Sequence, residues 1–98
     1  MAMKLLGKNL IDDFKVKYSS CRKALDRTVQ IIESATWHNP NNVKQTFGVN
    51  VDFVGKQTVF DSGGNKARLI TKISFPVSIV LITHVLDHKG YDDGKWKE

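Results

Sequence analysis

The spacing of apolar residues changes character near residue 50, and that change restricts the chain to few folds. Before it, Leu10, Ile11, Phe14 and Tyr18 recur at helical intervals, as do Ala24, Leu25, Thr28, Val29, Ile32 and Ala35. Asn9 and Ser20 stand where these two helices would be capped, because their short side chains accept from unpaired backbone N–H groups. Asn39–Pro40 predicts a third, shorter helix, with proline at the first helical position, where its missing donor is harmless. "AMKLL", ahead of Gly7, reads as a short first strand.

After residue 50 the chain is rich in β-branched and aromatic residues. "VDFVGKQTVF" (51–60) and "KARLITKISF" (66–75) read as strands, with Gly55 marking a bulge or tight bend in the first. Between them "DSGGN" is a loop, since Gly63, Gly64 and Asn65 tolerate positive φ. "VSIVLITHV" (77–85) is apolar on both faces and reads as a covered strand. Helices first and strands afterwards predict one α+β domain over residues 1–98. A short N-terminal strand and the helices then pack on one face of an antiparallel sheet.

Ninety-eight residues suffice for a modest core. The longest apolar run, "VSIVLI", is far below the roughly 18 residues of a membrane span, so no membrane partner is expected. The N-terminus carries no signal-peptide pattern, and the lone Cys21 excludes an internal disulfide; both fit a reducing, cytoplasmic setting. The net charge of +5 suits a partner made of phosphates or carboxylates.

Side chains alternate along a strand, so Ala67, Leu69, Thr71 and Ile73 share one face of "KARLITK" and its continuation, while Lys66, Arg68, Ile70 and Lys72 share the other. The first set makes core. The second is a basic row suited to a phosphate backbone, with Arg68 its most specific member because a guanidinium can donate two parallel hydrogen bonds to phosphate oxygens. The glycine pair before it is no phosphate loop, since it lacks the lysine–serine ending and joins strand to strand.

The stretch "HVLDHKGYDD" (84–93) gathers two imidazoles, three carboxylates and a phenol. Metal binding fits poorly, because strand geometry separates His84 from His88 and no dedicated ligand spacing is present; no metal or other cofactor is expected. A plain reading is a polar C-terminal loop anchored by a tyrosine. A chemical reading is metal-free RNA cleavage, which needs a proton acceptor for the 2′-hydroxyl, a donor for the departing 5′-oxygen and cations for the phosphate. Arg68, His88 and Tyr91 are the candidate catalytic residues, with Asp92 able to orient His88. Lys66, Lys72, Asp92 and Lys95 are the candidate RNA-binding residues.

Taken together, Trp37, Pro40, Val43, Lys44 and Phe47, then "VFDSGGNKARLI", then His88, Tyr91 and Asp92 resemble the HigB-type toxins of the RelE/ParE toxin–antitoxin superfamily. The resemblance covers about residues 37–92. It implies helices against a curved antiparallel sheet and an endoribonuclease that cuts messenger RNA, commonly on the ribosome. A helix-turn-helix antitoxin would neutralise it. It carries Arg68, His88, Tyr91 and Asp92 onto the family's site pattern. It also exposes a departure: Thr83 stands where many relatives have arginine, which removes one phosphate-facing cation. Two rivals share the fold, a gyrase-poisoning toxin that would not need His88 and Tyr91, and a module that only binds RNA or antitoxin.

Overall fold

The computed structural model describes residues 2–64 and 66–97. The chain runs β1 (Lys4–Leu6), α1 (Lys8–Lys17), α2 (Arg22–Ser34), α3 (Pro40–Phe47), β2 (Val51–Val54), β3 (Gln57–Ser62), β4 (Ala67–Ser74), β5 (Ile79–Leu86) and α4 (His88–Asp93). The five strands form one sheet in the order β1-β5-β4-β3-β2. The α+β architecture is the one the sequence predicts, with one refinement. β1 pairs parallel with β5 while every other pairing is antiparallel. The edge pairing joins segments at opposite ends of the chain, so no hairpin dictates its direction.

Helices and sheet meet in one apolar layer. Ile11 and Phe14 of α1, Leu25 and Ile32 of α2, Trp37 and Val43 pack on Phe60, Leu69, Val80 and Ile82 of the sheet. Thr28 of α2 shares a buried 2.9 Å hydrogen bond with Ser62 of β3, tying helix to strand. Asn39 caps α3 as expected, its side chain accepting from Asn42 N–H at 3.0 Å.

Three local expectations are corrected. α1 starts at Lys8 with Gly7, not Asn9, as its cap; Gly7 has φ +88°, and a Cβ there would lie 2.7 Å from the Ile82 carbonyl oxygen. Only glycine lets the chain turn this close to β5. α2 starts at Arg22 after a tight turn over Ser19–Cys21, so Ser20 is not its cap. "VDFVGKQTVF" is not one bent strand but a hairpin, β2–β3, in which Val54 pairs with Gln57 across Gly55 and Lys56. Glycine at the first position of a two-residue turn matches the twist of such hairpins. Gly63 and Gly64 do adopt positive φ in the β3–β4 loop; Asn65 lies outside the described residues.

The largest correction concerns the C-terminus. The segment read as a polar loop forms the helix α4 and then folds back, burying Trp96 to 3 % exposure against Val59 and Ile70 on the side of the sheet away from α1–α3. The sheet therefore has two covered regions, one under the helices and a smaller one under the C-terminal segment.

Candidate functional site

Directly paired strand residues share a face. Asp61 pairs with Arg68, Arg68 with Leu86, Ile70 with His84 and Lys72 with Leu81, so all belong to the outer face, opposite the main core. The alternation predicted for β4 holds: Ala67, Leu69, Thr71 and Ile73 turn toward the helices, and Arg68, Ile70 and Lys72 turn away.

Arg68 is not the open cation the sequence implied. Its side chain is 12 % exposed, forms an ion pair with Asp61 across the β3–β4 ladder, and sits 4.5 Å from the ring centroid of Tyr91. Tyr91 in turn stacks on Trp96 at 4.9 Å, and Trp96 Nε1–H donates to the Tyr91 carbonyl at 2.8 Å. The Trp96 carbonyl accepts from Gln57 Nε2 at 3.0 Å, stitching the C-terminal segment to β3. Burial, and next the Asp52 carboxylate, push the Tyr91 phenol upward from its ordinary range. The phenol therefore keeps its proton at neutral pH.

The fold thus brings Arg68 and Tyr91 into contact and places His88 one turn before Tyr91 on α4. His88 Nε2 lies 3.1 Å from Asp92 Oδ2, and both side chains are well exposed. Lys72 lies four residues beyond Arg68 on the same face of β4, with Ile70 between them. Lys66 is exposed in the turn leading into β4, and Lys95 is exposed beyond α4, 3.6 Å from Asp93. Among the described residues, no group of three or more histidine, cysteine, aspartate or glutamate side chains is arranged to hold a metal.

Three residues that organise this site were missed by sequence reasoning. Asp61 carried a partial signal, an acidic residue just before the glycine turn and the basic row just after it; the four-residue loop over 63–66 is what sets it opposite Arg68. Trp96 and Tyr18 gave no such signal. Asp87 caps α4, its Oδ1 accepting from Gly90 N–H at 2.7 Å, while its Oδ2 accepts from Tyr18 O–H at 2.8 Å. A residue at the end of α1 therefore anchors the helix that carries His88 and Tyr91. The Gly90 N–H, and then the Tyr18 hydroxyl, hold the Asp87 carboxyl below its ordinary range.

A carboxyl depressed in the fold stabilises it above the ordinary aspartate value, and that contribution fades as pH falls through the lowered one. Native protein should accordingly lose stability relative to Asp87→Asn below about pH 4, since asparagine caps a helix without titrating. Thermal melts from pH 7 to pH 3 test this; parallel curves would show that the Asp87 charge is unimportant. At neutral pH, Asp87→Ala should cost about 1 kcal/mol, as loss of an N-cap does.

On the outer face of the sheet, a largely buried guanidinium thus meets a phenol from a C-terminal helix whose first residue, His88, is an exposed imidazole. The family described as the RelE-like toxic component of a toxin–antitoxin system, the HigB toxin family, matches residues 21–94. The chain belongs to that family. It is 27 % identical over 92 residues to the mRNA interferase toxin HigB of Escherichia coli K12, covering 92 % of this chain and 88 % of that protein. The mRNA interferase HigB proteins of Escherichia coli O157:H7 and Shigella flexneri match to the same extent. The resemblance carried by "VFDSGGNKARLI" and the His88–Tyr91–Asp92 segment is thereby confirmed at the level of the family. No described helix is long and apolar enough to cross a membrane.

Proposed function

We propose that this chain is a toxin that cleaves messenger RNA on the translating ribosome, in the cytoplasm, and that a helix-turn-helix antitoxin neutralises it. The observation that carries the reading is the Arg68–Tyr91 contact on the outer face of the central strand, with His88 one turn from Tyr91 on α4. The names of the similar proteins support the RNA substrate.

The chemistry follows from these groups. Cleavage occurs when the ribose 2′-oxygen attacks the adjacent phosphorus and the bond to the 5′-oxygen breaks. Arg68 stabilises the negative charge that builds on the phosphoryl oxygens, a contribution that grows toward the transition state. His88 moves a proton, the role for which imidazole is suited near neutral pH. Tyr91, protonated, donates a hydrogen bond, while Lys66, Lys72 and Lys95 draw the polyanion toward the face. Asp92 keeps the His88 ring oriented.

Growth of bacteria after induced expression tests the reading. The native chain should stop growth and generate new mRNA ends, whereas Arg68→Ala and the pair His88→Ala, Tyr91→Ala should do neither. Growth arrest without new ends, or by the double variant, would favour the protein-binding rival.

A further inference from the structure

The register between β4 and β5 shifts between Ile70 and Thr71: Ile70 pairs with His84, but Thr71 pairs with Ile82. Thr83 is the extra residue, a bulge on β5. In an unbroken strand Ile82, on the helix side, would be followed by Thr83 outward and His84 inward. The bulge instead turns His84 outward, next to Ile70 and diagonal to both Arg68 and Lys72. Such diagonal neighbours lie roughly 7–8 Å apart, within reach of long side chains. Bulges commonly re-aim a side chain beside an active site.

The bulge also sets a hydroxyl against the ring. Thr83 Oγ1 donates its hydrogen to the Ile70 carbonyl at 3.1 Å, and His84 Nδ1 lies 3.0 Å from the same Oγ1. A hydroxyl has one hydrogen and two lone pairs. With that hydrogen spent on Ile70, the contact requires His84 Nδ1 to be the donor. The neutral imidazole then carries its lone pair on Nε2, at an exposed position on the outer face. A ring oriented by one partner so that its other nitrogen can take a proton is the arrangement of an activated general base.

We propose that His84 is the general base of the RNA-cleaving site and that Thr83 is its positioning residue. The inference rests on the ribonuclease reading above. His84 Nε2 takes the proton from the 2′-hydroxyl as its oxygen bonds to phosphorus. The bond from phosphorus to the 5′-oxygen breaks, and that oxygen receives a proton from His88. The products are a 2′,3′-cyclic phosphate and a 5′-hydroxyl, with no other reactant consumed. Thr83 thus serves the site by orienting a base.

The test uses the purified full chain with mRNA, both naked and on translating ribosomes. His84→Ala should lower kcat by about 10²–10⁴-fold with KM little changed. Added imidazole should restore part of the rate, which a structural role would not allow. His84→Gln, which keeps a donor toward Thr83 but cannot take the proton, should be equally slow and separates chemistry from folding. Thr83→Val should lower kcat, and Thr83→Ser should recover it. Native kcat in both His84 variants, or a loss confined to KM, would overturn the proposal while leaving the ribonuclease reading intact. A native chain that cleaves neither substrate would overturn both.

Discussion

Replacing Arg68 by alanine is expected to slow RNA cleavage sharply and to destabilise the fold, and the two effects are separable. The guanidinium and the Asp61 carboxylate are largely buried together across the β3–β4 ladder. Removing one partner leaves the other uncompensated, and the pair's burial places the cost at about 3 kcal/mol. For a domain of this size that lowers the melting temperature by roughly 10 °C or more. Asp61→Ala in the Arg68→Ala background removes the stranded carboxylate, so the double variant should recover part of the lost stability. It should not recover cleavage, because the cation that stabilises the transition state is still absent, a loss of about 10²–10³-fold in rate. Thermal melts and cleavage assays on the two single variants and the double decide the matter. Equal melting temperatures throughout would mean that the ion pair contributes nothing, and cleavage returning in the double variant would mean that Arg68 serves structure alone.

Trp96→Ala has the largest expected effect on stability. The indole is 3 % exposed, covers Val59 and Ile70, stacks on Tyr91 and donates to the Tyr91 carbonyl. Truncating a buried aromatic of this kind costs about 3–5 kcal/mol. That is a large share of the roughly 5–15 kcal/mol that holds a small domain together. The loss should also be directional. Without the indole, the C-terminal segment keeps the Asp87 cap, the Tyr18 contact, the Gln57 bond to the residue-96 carbonyl and the Arg68–Tyr91 contact but loses its apolar anchor, so limited proteolysis should first cut beyond residue 86. Cleavage of RNA should fall with it, because Tyr91 loses the ring that holds it beside Arg68. Phenylalanine at 96 keeps most of the apolar area but not the N–H donor, and should lie between native and alanine. Uniform proteolysis across the chain would argue against a distinct role for this cover.

Much of this architecture was legible because period and register are properties of local sequence. The alternation along β4 assigned Arg68, Ile70 and Lys72 to one face and Leu69 and Ile73 to the other, and the structure agrees. Asn39–Pro40 announced α3. Three features escaped for physical reasons. α4 is six residues long with glycine inside it, so propensity does not predict it; it forms because Asp87 caps it and Tyr18, 69 residues away in sequence, holds that cap. The parallel pairing of β1 with β5 depends on chain ends meeting, which no local pattern records. The bulge at Thr83 adds one residue to an apolar run, and "VSIVLITHV" reads the same with or without it.

The site was legible in its residues and not in its connections. Arg68, His88 and Tyr91 stood out by type, and the fold sets Arg68 against Tyr91 and pairs His88 with Asp92. The sequence did not show that Arg68 would be held by Asp61 or that Trp96 would underlie Tyr91. His84, considered only as a metal ligand, is turned to the outer face by a single inserted residue.

The measurement that bears most directly on the central claim is the chemistry of the RNA ends left by the purified chain on ribosome-bound message. A metal-free attack by the 2′-oxygen leaves 5′-hydroxyl and 2′,3′-cyclic phosphate ends, and these should form with native protein in the presence of a chelator and vanish with Arg68→Ala. Ends bearing a 5′-phosphate, or intact message at every protein concentration, would contradict the account.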